Sequence, residues 1–215
     1  MTKRKSKGEL LSARGSVSTV SIGILGVAEG SGVTHLCLMS ALFLAAVMGK
    51  RVALVEMGDR ECFRQVRIIL ENRQFRKTKK LINMISTFSQ TEFSELSAIL
   101  SAGYDYVVMD LGCNYEAVRQ QFLMCQIKVV TGSLAWWKIK EYSAFLARTD
   151  NEPSRKFWAF LTGTAACEGM RYLKEEYGIN VRQVPCEPDP FTPGGESLDF
   201  LYELTNQATC RSQGH

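Results

Sequence analysis

Two histidines, His35 and His215, are all that the 215 residues provide, and none of the seven cysteines is spaced C-x-x-C. That scarcity excludes the usual zinc-binding patterns. The scattered cysteines read as free thiols of a reducing cytosol. Long apolar runs are also missing. The stretch Leu36–Met48 falls short of the roughly 20 residues that a membrane-spanning helix takes. The run Val17–Val27 follows a basic start and so mimics a secretory leader, but it carries serines and is broken by Glu29, Gly30, Ser31 and Gly32. Charge of one sign is lacking too: 26 Lys and Arg face 22 Asp and Glu, a net charge of +4 that by itself gives no case for nucleic acid. The expected compartment is the cytoplasm.

What is present is an ordinary globular composition, 46% hydrophobic and 22% charged, long enough to bury a full core. Residues 1–16, with Lys3, Arg4, Lys5, Lys7 and Arg14, read as a basic flexible tail, and 17–215 as a single domain. Short β-branched runs alternate with helical patterns. Strands are expected at Val17–Leu25, Arg51–Glu56, Tyr104–Asp110, Ile127–Thr131, Lys156–Leu161 and Val181–Val184. Helices are expected at Thr34–Met48, closed by Gly49, and at Glu61–Asn72 with Phe63, Val66, Ile69 and Leu70 on its apolar face. Further helices fit Glu92–Ser101, Glu116–Met124, Trp136–Arg148, Cys167–Tyr177 and Ser197–Asn206. Leu81–Ile85 has no clear period. The alternation predicts an α/β fold, a mostly parallel twisted sheet with helices on both faces. Right-handed crossovers put every strand's C-terminal end on one edge, where ligands bind.

Two motifs fall on that edge. The first is the turn between the first strand and the first long helix, Gly26 to Thr34. Gly26, Gly30 and Gly32 give it freedom to form an anion nest at the helix start. The layout is that of a phosphate-binding P-loop, G-x-x-x-x-G-K-[ST], with Val33 in place of the lysine that reaches the β- and γ-phosphates. Thr34 is positioned to hold Mg²⁺ or to cap the helix. The second motif is Asp110-Leu-Gly112 at the end of a later strand.

With both motifs, residues 18–205 resemble the ParA/MinD-like P-loop proteins, whose deviant loop reads K-G-G-x-G-K-[ST]. Gly30, Gly32 and Thr34 match. Ala28 stands where the family has its first lysine, Glu29 replaces a glycine and Val33 replaces the second lysine. The resemblance implies a P-loop NTPase-like three-layer sandwich. It implies a nucleotide-binding loop of Gly26, Glu29, Gly30, Ser31, Gly32, Val33, Thr34 and His35. It makes Thr34, Glu56, Asp59 and Asp110 the Mg²⁺-linked residues, Gly112 the switch region, and Pro185, Glu187 and Asp189 the loop beside the base. The implied cofactor is ATP or ADP with Mg²⁺, or none if the altered loop has lost its ligand. The implied function is that of a localisation or scaffold factor with weak or no ATPase activity. Its partners would be proteins, including a second copy of the chain, although the lysine that crosses the family's dimer is absent at Ala28. A subgroup linked to pilus and secretion machinery is similar in having a degenerate loop.

Charge supports that reading. Losing a charge-assisted contact while its partner stays unpaired costs about 2–5 kcal/mol, and here two lysines are gone. An ATPase with a non-standard loop stays open as an alternative, with Arg60 or Lys50 supplying the cation from another strand end. A third reading is a nucleic-acid or anionic-surface module at the membrane periphery, acting through the basic tail and the run Arg73–Lys80. His35 faces either the phosphates or the core and has no neighbouring histidine for a metal. Cys113 reads as a small buried hydrophobe. Trp136 and Trp137, opening a helix, would point about 100° apart, one inward and one to a partner.

Overall fold

The computed structural model describes residues 19–58, 60–70, 76–164 and 166–211. Among these residues seven strands form one sheet: β1 Val20–Gly26, β2 Val52–Met57, β3 Ile85–Thr91, β4 Tyr106–Asp110, β5 Ile127–Gly132, β6 Ala159–Thr162 and β7 Val181–Gln183. Their order is β3-β2-β4-β1-β5-β6-β7, and every pairing is parallel. The helices are α1 Val33–Leu42, α2 Cys62–Leu70, α3 Arg76–Ile82, α4 Phe93–Ser101, α5 Tyr115–Met124, α6 Ile139–Arg148, α7 Cys167–Tyr177 and α8 Gly195–Arg211.

Period-two alternation along the strands divides the core into two. Ile22, Ile24, Val52, Leu54, Val108 and Val129 face a layer that includes α1, Phe63 of α2 and Phe200, Leu201 and Leu204 of α8. Ala53, Val55, Val107, Met109 and Val130 face α4, α5, α6 and α7 through Leu96, Phe122, Phe145 and Leu173. The result is the expected three-layer sandwich. α1 is apolar all round because it is buried nearly all round.

Several expected elements are corrected. The first long helix leaves α geometry after Leu42 and runs as a π-helical turn over Phe43–Val47, with Met48 N–H donating to the Phe43 carbonyl at 3.1 Å. Gly49 then closes it at φ 63°, as its position predicts. β3 and α3 were not expected as a strand and a helix. β3 carries Ser86, Thr87, Ser89 and Gln90 because it lies at the sheet's edge, where only part of its surface is buried. On α2, Phe63 is buried as expected, but Ile69 is 61% exposed. Trp136 and Trp137 lie in a turn before α6 and both face solvent, at 69% and 76% exposure, so neither packs inward. The last helix is longer than expected at both ends.

Carboxylates tie strands and loops together. Asp105 pairs with Arg51 at 3.1 Å, joining the starts of β4 and β2. Glu152 accepts from the Tyr115 hydroxyl at 2.8 Å and from Arg119 at 2.5 Å. Hydrogen bonds from Arg51 hold the Asp105 carboxyl below its ordinary pKa, and those from Arg119 and then Tyr115 do the same for Glu152 against desolvation. A depressed folded-state pKa contributes stability that is present above the unfolded value, about 4, and is lost as pH falls through the folded value. Thermal melts followed by circular dichroism should therefore be flat near neutrality and fall below pH ~4. Asp105→Asn should lower the neutral midpoint and flatten that acid slope, and an unchanged slope would remove Asp105 from the account.

Candidate functional site

Parallel pairing sets the C-terminal ends of β1, β2 and β4 side by side. Ile24 pairs with Asp110, and Asp110 with Glu56 on its other side. The chain leaves β1 for β2 and β3 on one flank, returns through β4, and then crosses to β5 on the other flank. The reversal opens a crevice of about 860 Å³ at that edge.

The glycine loop forms one wall. Gly30 and Gly32 sit at φ 74° and 80°, in the left-handed region where a side chain is strained, so the chain needs glycine at both positions. The Gly26 N–H donates to the Gly112 carbonyl at 2.7 Å, fastening the loop to the turn after β4. The Ser31 hydroxyl folds back onto the Ala28 carbonyl at 2.6 Å, while the Ser31 carbonyl accepts from the Thr131 hydroxyl at 3.0 Å. Gly32 is the residue before α1 and makes no side-chain cap, so the first N–H groups of α1 begin at the loop. Val33 is 6% exposed. Glu29 is exposed at the rim of the crevice, and His35 stands between the crevice and a second hollow of about 400 Å³.

Asp110 is the centre of the polar network and is fully buried. Its Oδ2 accepts from the Thr34 hydroxyl at 2.6 Å. Its Oδ1 accepts from Arg60 Nη2 at 2.6 Å and from the Gly112 N–H at 3.0 Å. The guanidinium lies over Gly112, where an added Cβ would meet Nη2 at 3.3 Å. Desolvation lowers the Arg60 pKa, and the Asp110 charge and hydrogen bond outweigh it, so the net direction is upward. Arg60 is the one Lys or Arg among the described residues lining the crevice. Lys50, the other cation considered from sequence, precedes β2 and so lies at the opposite edge of the sheet.

Glu56 is also fully buried, but both its oxygens accept from the start of α2: the Cys62 N–H at 2.9 Å and the Phe63 N–H at 3.3 Å. It acts as a cap on α2. Asp59 lies outside the described residues, as do the basic tail, residues 1–16, and residues 73–75 of the basic run. Of that run, Arg76, Lys77 and Lys80 are exposed on α3.

The expected base-side loop borders the smaller hollow through Pro185 and Glu187. Glu187 accepts from the Ser197 hydroxyl at 2.6 Å and the Gly194 N–H at 2.7 Å, and these bonds hold its carboxyl below the ordinary value. Asp189 turns to its own loop, accepting from the Phe191 N–H and the Thr192 hydroxyl. Cys113 is half-buried and lines the crevice, so it is not a core residue. The Arg60–Asp110 contact joins residues 50 apart in sequence, and no local spacing points to it.

Comparison with solved structures sets this geometry in context. A ParA family ATPase from Chlorobium tepidum superposes with a TM-score of 0.59 at 12% identity, covering 92% of this chain and 99% of its own. The MinD cell division protein of Aquifex aeolicus gives 0.58 at 15%, covering 92% and 98%. The chain has the α/β fold of the ParA and MinD proteins. A plasmid partition protein from Borrelia burgdorferi, solved with AMPPNP bound, has the same fold, with a TM-score of 0.60 at 11% identity and coverage of 91% and 99%. No protein-family model matches the sequence, and no curated protein matches it. Among the described residues of this ParA/MinD-like fold, no helix is long and apolar enough to cross a membrane.

Proposed function

We propose that this chain is a ParA/MinD-like protein with a degenerate nucleotide site, acting as a localisation or scaffold factor with little or no ATPase activity. The observation that carries this reading is Val33. It follows Gly32 where the loop motif has its phosphate-binding lysine, and its side chain is buried under the loop, with Cγ2 at 3.0 Å from where a Cβ on Gly26 would stand.

A Mg²⁺-nucleotide asks for a lysine over the phosphates and for free oxygen ligands at the acid and the helix hydroxyl. Thr34 and Asp110 are brought together as such ligands would be, but Oδ1 of Asp110 is held by Arg60. The residues as arranged therefore do not fit a Mg²⁺-nucleotide, and Glu29 adds a negative charge at the rim. What the crevice retains is the framework that displays its surrounding loops to partners.

The test is calorimetric titration of ATP and ADP with Mg²⁺, together with a phosphate-release assay. The native chain should give no binding at millimolar nucleotide and no turnover above the buffer rate. Val33→Lys combined with Arg60→Gln, which restores the missing charge and frees Asp110, should regain nucleotide binding. Mg²⁺-dependent turnover by the native chain would overturn the reading in favour of an ATPase with a non-standard loop.

A further inference from the structure

We infer that Arg60 is the resident cation of this site: its guanidinium takes the place of a divalent ion on Asp110 and keeps the loops after β2 and β4 fastened to each other without metal or nucleotide. The inference rests on the degenerate-site reading and deepens it, because it says what holds the site in one state.

Asp110 is buried and has three donors, one each from α1, from the β2–α2 loop and from the turn after β4. A carboxylate so placed needs a counter-charge, since an unpaired one in the interior is expensive. Arg60 meets that need at 2.6 Å while 43% of its side chain remains exposed to the crevice. The guanidinium also closes over Gly112, whose own N–H shares Oδ1. Glu56 stands beside Asp110 in register, but the N-terminal N–H groups of α2 neutralise it separately. Each of the two neighbouring acids therefore has its own positive partner.

The functional consequence is a site that does not switch. A loop held by a metal or a γ-phosphate is released when that ligand leaves. A loop held by a side chain stays where it is. The surface formed by Arg60 and the turn after β4 is then constant, and recognition through it does not depend on nucleotide state.

Mn²⁺ is the probe, read by electron paramagnetic resonance of the free ion. The native chain should leave the free-ion signal unchanged at millimolar Mn²⁺. Arg60→Ala should free Asp110 and Thr34 to take the ion, with apparent affinity raised by roughly tenfold or more as the competing charge is removed. Arg60→Gln, which keeps part of the side chain and a donor but no charge, should do the same if the alanine variant fails to fold. Arg60→Gln combined with Asp110→Asn should lose the gain. Hydrogen exchange at residues 111–114 should rise in both Arg60 variants and should not change when Mg²⁺-ADP is added to the native chain.

Mn²⁺ binding by the native chain equal to that of the Arg60 variants would overturn the inference. So would folded Arg60 variants that gain none. If native Mn²⁺ binding appears without ATP turnover, the resident-cation inference fails and the degenerate-site reading stands. If turnover appears, both fail.

Discussion

Asp110→Ala should destabilise the chain by about 2–3 kcal/mol, a large fraction of the stability of an ordinary domain. The substitution removes the acceptor of the Thr34 hydroxyl, the Gly112 N–H and the Arg60 guanidinium at once. The first two are half-buried at the crevice wall and lose an acceptor that is itself wholly shielded from water. Arg60 loses less than a buried partner would, because 43% of its side chain is exposed, which keeps the loss below the upper range for broken buried pairs. Urea denaturation followed by far-ultraviolet circular dichroism measures it directly. Asp110→Asn keeps the shape and one acceptor and should lose less. A lone functional acid is often held at a cost to stability, so its removal leaves the midpoint unchanged or raises it. That outcome would show that the Asp110 network does not hold the sheet edge together.

Gly132→Ala should be similarly damaging, by about 2–3 kcal/mol, through overpacking. A methyl group at Gly132 would stand 2.5 Å from Val27 Cγ2 and 2.7 and 2.8 Å from the Tyr142 ring. Tyr142 is fully buried and its hydroxyl donates to the Leu161 carbonyl at 3.2 Å, so the ring cannot swing aside. Val27, the first residue after β1, donates its N–H to the Thr131 carbonyl at 3.0 Å. The clash therefore pushes on the root of the glycine loop. Val27→Ala in the same chain should recover part of the loss, because it removes the nearer of the two obstacles. Additive losses in the double variant would mean that the methyl group meets something other than Val27.

The central part of the sheet is legible because its residues are mostly apolar, with Val or Ile recurring in every strand. β1, β2, β4 and β5 are buried on both faces, and a buried parallel strand reads as a continuous run. The edge is not. β3 alternates Ser and Thr with few apolar residues, a composition that suits a loop equally well until a neighbouring strand is supplied. Trp136 and Trp137 misled through their size. Large aromatic residues at a helix start suggest burial, yet helical geometry begins only at Ile139. At the site, the glycines and Thr34 were found by spacing, and Asp110 by its position at a strand end. The family resemblance makes Glu56 a metal-linked acid, and sequence shows that residue but not the N–H groups of α2 that its oxygens accept from. Arg60 was visible only as one of two candidate cations, since its partner is brought to it by the crossing of β4 between β2 and β1.

The contact between Arg60 and Asp110 also bears on supply. A metal ion is drawn from a pool shared with every other acid in its surroundings, and it leaves when that pool is diluted or chelated. A guanidinium attached by the backbone three residues beyond the end of β2 is drawn from no pool. Its effective concentration is set by the tether and is millimolar or more for short linkers, whatever the ionic composition outside. The occupancy of this position is thereby inherited with the polypeptide, one cation to one acid, in every copy made.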